Sequence, residues 1–241
     1  MTLRRLAPLL AAIVLTSGLP AAAQDMPTVL PQGFELNSIL NQQRVDAAIN
    51  SGRSTGPSRP AARAAPVTTT YAPSPAVSQR VRKQFTDWVG QHSGPEAGRK
   101  IGDILRAQDP VKSWTGIVGG DGLRSGDVAD ALAGYWVLNW NMANGSDNNR
   151  AQAQGALRQV RGMIADSPVY ARMNPAQRQE MAETLMLNFL LQHAAYLDAM
   201  QRGDKDLARR LGDAANARFQ SEMGVNLRQL NLTPAGFVRR A

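Results

Sequence analysis

Residues able to do chemistry are few in this chain, and their spacing assigns no reaction. There are two histidines, His92 and His193, and no cysteine. That excludes the common multi-histidine metal sites, thiol catalysis and thiolate ligation. No nucleophile elbow (GxSxG), zinc-binding HExxH or phosphate-binding GxxxxGK[ST] occurs, so no catalytic residue, metal ligand or cofactor is assigned. Glu180 and Glu183 stand one helical turn apart, a spacing that suits the positive end of a helix better than a glycosidase pair. Gly119-Gly120-Asp121-Gly122 resembles a phosphate cradle only in composition; with Arg124 as its sole nearby cation and no strand before it, it reads as a connection between helices. Asp147-Asn148-Asn149 lacks the spacing and the distal glutamate of a calcium loop and reads as a helix cap.

What remains is a set of polar side chains inside apolar helices. Asn139 lies amid Trp136 and Trp140, while Asn188, Gln192 and His193 lie amid leucines. Asn188 and Gln192 are four apart and share a helix face, and Asn139 opposes them if the two helices pack together. Buried amides and imidazoles require partners. Two readings stay open: a satisfied core network, or a small polar pocket lined by Trp136, Asn139, Trp140, Asn188, Gln192 and His193.

The elements that must position these groups are helical. Apolar residues recur at steps of three and four over 76–91, with Val77, Val81, Phe85 and Val89 on one face, and again around Ile101, Ile104 and Leu105 over 96–106. The glycine-rich stretch 111–126 reads as irregular. Asp127 then caps a helix over 127–144, stopped by Gly145; further helices follow at 147–166, at 175–202 behind Asn174-Pro175, and at 204–223 before Gly224. Leu227, Leu230, Leu232, Phe237 and Val238 anchor the tail, and no period-2 strand is evident. The expected fold is all-α: one domain of about six helices over 76–241, in an orthogonal or bundle-like array.

Ahead of it, Arg4 and Arg5, an apolar run from Leu6 to Leu15 and Ala21-Ala22-Ala23 read as a signal peptide over 1–23. The apolar run is too short for a stable span, and no later segment offers the roughly 18 apolar residues that a membrane helix needs. Residues 24–50 form a leader whose Phe34, Leu36, Ile39, Leu40, Val45 and Ile49 allow one short helix, docked or floating. Residues 51–75, with five prolines and almost no large apolar side chain, read as a disordered linker. The leader and linker are therefore expected to be dispensable for folding.

Formal charge is +8, falling to +6 once Arg4 and Arg5 leave with the signal. The basic residues sit in short clusters interleaved with acids, which is no nucleic-acid groove.

The segments DVADALAGYWVLNWNMANG, NPAQRQEMAETLMLNFLLQHAAYLDAMQ and NLRQLNLTPAGF resemble an uncharacterised family of secreted bacterial helical proteins, a domain of unknown function, over about 76–237. The resemblance implies export and a helical domain behind a disordered leader, and brings no activity, cofactor or site residue. The expected role is a non-catalytic helical interaction module of the cell envelope, periplasmic or secreted, with an envelope protein or an anionic polymer as partner. The alternatives are an enzyme or small-ligand binder between the helices at 127–144 and 175–202, and a basic module for anionic surfaces.

Overall fold

The computed structural model describes residues 28–29, 35–40, 42–51 and 67–240. The expected signal peptide, the rest of the leader and residues 52–66 of the expected linker lie outside them.

Capping chemistry sets most of the helix boundaries. Helix α3 (Pro75–Ser93) begins on a proline and buries Val77, Val81, Phe85 and Val89. Helix α4 (Pro95–Ala107) folds back beside it. Asp127 accepts from the Ala129 N–H to open α6 (Val128–Asn144), and Gly145, in the left-handed region at φ 57°, closes it. Asn149 and Gln152 form a reciprocal capping box at the start of α7 (Arg150–Ala165), and Asn174 and Gln177 form another at α9 (Pro175–Gln201). Asp204 opens α10 (Lys205–Met223) and Gly224 ends it.

The architecture is mostly helical, and α6 is its axis: α7, α9 and α10 all pack against it. Its sides are buried nearly all round, as its sequence implies. The approach of α10 is so close that a Cβ at Gly212 would stand 2.4 Å from the Met142 carbonyl oxygen, so only glycine fits at that crossing.

Three features depart from expectation. Residues 111–118 of the stretch read as irregular belong to helix α5 (Pro110–Val118), because Asp109 caps it and Pro110 occupies its first turn; the fully buried Trp114 then holds it in the core. A four-residue helix, α8 (Pro168–Ala171), follows Ser167 where only a break was expected, giving ten helices among the described residues. The tail is a β-hairpin, β1 (Leu230–Thr233) against β2 (Gly236–Arg239), with Leu230 opposite Arg239 and Thr233 opposite Gly236. Its strands are too short for periodicity to announce. They persist by packing on α7, where a Cβ at Gly155 would lie 2.6 Å from the backbone of Pro234 and Gly236.

The leader docks. Helices α1 (Leu36–Ile39) and α2 (Gln42–Ser51), with Leu40 just after the first, bury Leu36, Ile39, Leu40, Val45 and Ile49 in the main core, against α7, α8, α10 and β2. Residues 67–74 are also placed: Tyr71 is buried, its N–H donates to the Gly126 carbonyl at 3.0 Å, and the Val128 N–H donates to Thr69 at 2.9 Å. Val29 sits in a second apolar cluster with Val77, Val81, Phe85 and Leu187. Dispensability of the leader is therefore not what this packing implies. No helix among the described residues is long and apolar enough to cross a membrane.

Candidate functional site

The polar residues singled out in α6 and α9 all lie in the interior, yet they do not converge on one pocket. Asn139 donates through Nδ2 to the Tyr135 carbonyl one turn back at 2.8 Å and accepts from Arg218 Nη1 of α10 at 2.9 Å. Trp136 is enclosed, stacked on Phe237 with centroids 5.0 Å apart, and its indole N–H has no partner among the described residues. Trp140 donates its indole N–H to the Leu230 carbonyl at 2.9 Å, fastening the hairpin. This half of the candidate set faces the tail and α10.

Asn188 faces the leader. Its Oδ1 accepts from the Val29 N–H at 3.0 Å, and its Nδ2 donates to the Val29 carbonyl at 2.7 Å and to the Thr184 carbonyl at 2.8 Å. The amide thus imitates a neighbouring strand. Beside it, Glu222 of α10 accepts from the Thr28 N–H at 2.8 Å and from the Thr28 hydroxyl at 2.6 Å. The Tyr135 hydroxyl lies 2.6 Å from Thr28 Oγ1 and accepts from Gln192 Nε2 at 3.4 Å. Since the threonine proton goes to Glu222, Tyr135 donates to Thr28. Burial holds the Tyr135 hydroxyl well above its usual range. Gln192 Oε1 is buried without a donor among the described residues.

The same device recurs twice. Gln179 accepts from the Ser74 N–H at 2.8 Å and donates to its carbonyl at 2.9 Å. Gln159 accepts from the Phe237 N–H at 2.6 Å and donates to its carbonyl at 2.8 Å. In each case a helix side-chain amide satisfies both backbone groups of an incoming extended residue.

His193 stands apart, stacked on Phe189 with centroids 5.5 Å apart. Burial pushes its imidazole down to about 4, so it is neutral at physiological pH. It lines a cleft between α6 and α9 whose other polar groups include Asp121, Asn141, Asn148 and Tyr196. Sequence reading passed over Asp121 and Asn148 as loop and cap residues. Their only signal was the nearness of two polar loops, 119–122 and 147–149, to the ends of apolar helices. The loop glycines belong to a 3-10 turn, Gly119–Asp121, that buries Asp121.

Glu180 and Glu183 diverge. Glu180 pairs with Arg80, whereas Glu183 is buried and accepts from Ser78 and Gln179, each at 2.8 Å. Burial raises the Glu183 carboxyl above its ordinary range.

Helices, hairpin, docked leader and internal clamps form one packing unit, and a single family model matches residues 4–240, leader and helical part alike. The chain belongs to a family of unknown function, DUF6683. The DUF6683 match extends well beyond the 76–237 over which a resemblance was read from sequence. No curated protein and no solved structure matches the chain.

Proposed function

We propose that this DUF6683 protein is a non-catalytic helical interaction module of the bacterial cell envelope or exterior, delivered there by its N-terminal signal. The observation that carries the reading is the use to which the polar interior is put. Asn139, Trp140, Asn188, Gln159 and Gln179 spend their hydrogen bonds on Arg218, the hairpin, the leader and the 67–74 segment. Groups committed in this way build a scaffold and are unavailable to a substrate. Recognition then falls to the outer surface, and the partner is another envelope protein or an anionic polymer.

A basic module for anionic surfaces has less support. Arg80, Lys83, Lys100, Arg106, Arg209 and Arg239 each pair with a nearby carboxylate, which leaves a mixed surface in place of a one-sided positive face. The small-ligand reading is favoured by one specific observation, the cleft at His193.

Photo-crosslinking residues placed at the exposed positions Lys83, Arg99, Met200 and Arg210 in the full chain, expressed in its own host, test the interaction reading. A discrete heavier species from at least one position is expected. Four silent positions in a folded, exported protein would overturn it.

A further inference from the structure

The cleft beside His193 has an unbalanced set of hydrogen-bonding groups. Its walls are apolar, from Val118, Leu123, Leu138 and Phe189, and its volume is about 30 Å³, room for about two water-sized groups. Exposed Ser146 and Asp147 stand at its rim. Within it, Asn141 Nδ2 donates to Asn148 Oδ1 at 2.8 Å, and Asn148 Nδ2 donates to Asp121 Oδ2 at 3.1 Å. Asn148 Nδ2 also donates to the Asn149 carbonyl at 3.4 Å, so both of its N–H donors, and one of the two on Asn141, are spent inside the wall. Asn141 Oδ1 is left buried with no donor among the described residues. His193, only 6% exposed, forms no hydrogen bond among the described residues. Asp121 is 5% exposed, and burial raises its carboxyl above the ordinary range against the Asn148 hydrogen bond, which lowers it. Arg150 opposes that rise, but least of the neighbours.

We propose that this cleft binds the ammonium headgroup of a small organic amine, with Asp121 as counter-charge and Asn141 Oδ1 and His193 as acceptors. The inference rests on the small-ligand reading and names its ligand class. An ammonium group carries three donors and no acceptor, and the Asp121 carboxylate, Asn141 Oδ1 and the bare ring nitrogen of His193 supply three acceptors in the lining. It is also close to a water molecule in size, which the volume requires, and a short alkyl stem continues between Leu138 and Phe189. The imidazole can accept because burial keeps His193 neutral, with one ring nitrogen bare. A carboxylate would be set against Asp121 with no lining cation to offset it, and a neutral alcohol would leave the buried charge uncompensated.

Because the chain has two histidines, the His193 imidazole resonance is assignable by comparison with His193→Phe, and it reports occupancy directly. The full chain would be titrated at neutral pH with propylammonium chloride, sodium propionate and 1-propanol. A saturable shift with propylammonium is expected, at least tenfold weaker with the other two. Asp121→Asn, which keeps an acceptor for Asn148, should weaken propylammonium at least tenfold. His193→Phe, which preserves the stack on Phe189, should lose the thermal shift that propylammonium gives the parent chain, a second readout if Asp121→Asn folds poorly. Saturation by propionate or propanol with propylammonium silent would keep the site and overturn the ammonium class. No saturation by any of the three would overturn the small-ligand reading itself, and unchanged affinity in both variants would remove Asp121 and His193 from the site.

Discussion

Asn139 holds two neighbours at once, the Tyr135 carbonyl and the Arg218 guanidinium, and both are buried. Replacing it with alanine removes an acceptor from a buried cation and leaves a cavity. The expected loss is about 1–3 kcal/mol in denaturant unfolding, with no compensating gain elsewhere. A neutral or stabilised variant would mean that the Arg218 contact is worth nothing to the fold. His193 makes a different, pH-dependent contribution. Its folded value of about 4 lies below the unfolded value of about 6.5, so between those limits the unfolded chain binds more protons, and stability rises with pH. Acidification from pH 7 to pH 5 should therefore cost about 2 kcal/mol through this residue. The buried carboxyls of Asp121, Asp130 and Glu183 are shifted upward and act in the opposite sense. The clean measurement is thus the difference between the parent chain and His193→Phe at the two pH values. Parallel pH profiles for the pair would show that the imidazole does not titrate as its burial requires.

At the scale of elements, the leader is the most consequential piece. Five of its apolar side chains lie in the main core, and burial of such a side chain contributes about 1.5–3 kcal/mol. Together that is comparable with the whole stability of an ordinary domain. A chain beginning at Pro75 should therefore lose cooperative thermal unfolding and bind a hydrophobic dye, whereas a sharp unfolding transition in that shortened chain would show the leader to be an ornament. The Asn188 clamp allows a finer test. Asn188→Ala should leave the helices formed but raise amide exchange at Val29, whose N–H donates to Asn188. Unchanged exchange there would mean that Val77, Val81 and Phe85 hold Val29 by apolar contact alone.

For the molecule as a whole, the proposed export has a direct consequence in mass. Ala21 and Ala23 supply the small side chains that a signal peptidase reads, so protein recovered outside the cytoplasm should begin at Gln24. Retention of Met1 on that protein, seen by intact-mass measurement, would be incompatible with the proposed route. Cleavage there leaves only four residues ahead of Thr28, whose backbone and hydroxyl are gripped by Glu222.

Local physics made much of the helical framework legible in the sequence. Asp127, Asn174 and Asp204 before apolar runs, and Gly145 and Gly224 after them, mark ends that depend on side chains a few residues away. The near-uniform apolarity of α6 and α9 likewise placed both at the centre, since a helix without a polar face has nowhere else to go. Helix α5 was obscured by Gly116, Gly119 and Gly120, whose low helix propensity is overridden by the Asp109 cap and the burial of Trp114. The leader's docking, the hairpin and the destinations of the polar side chains belong to a different class. Asn188 meets Val29 across 159 residues, Gln179 meets Ser74 across 105, and Gln159 meets Phe237 across 78. An amide on an apolar helix declares only that it needs a partner. Which backbone supplies that partner depends on which segment the packed helices bring over it, and for these residues only the tertiary structure decided that.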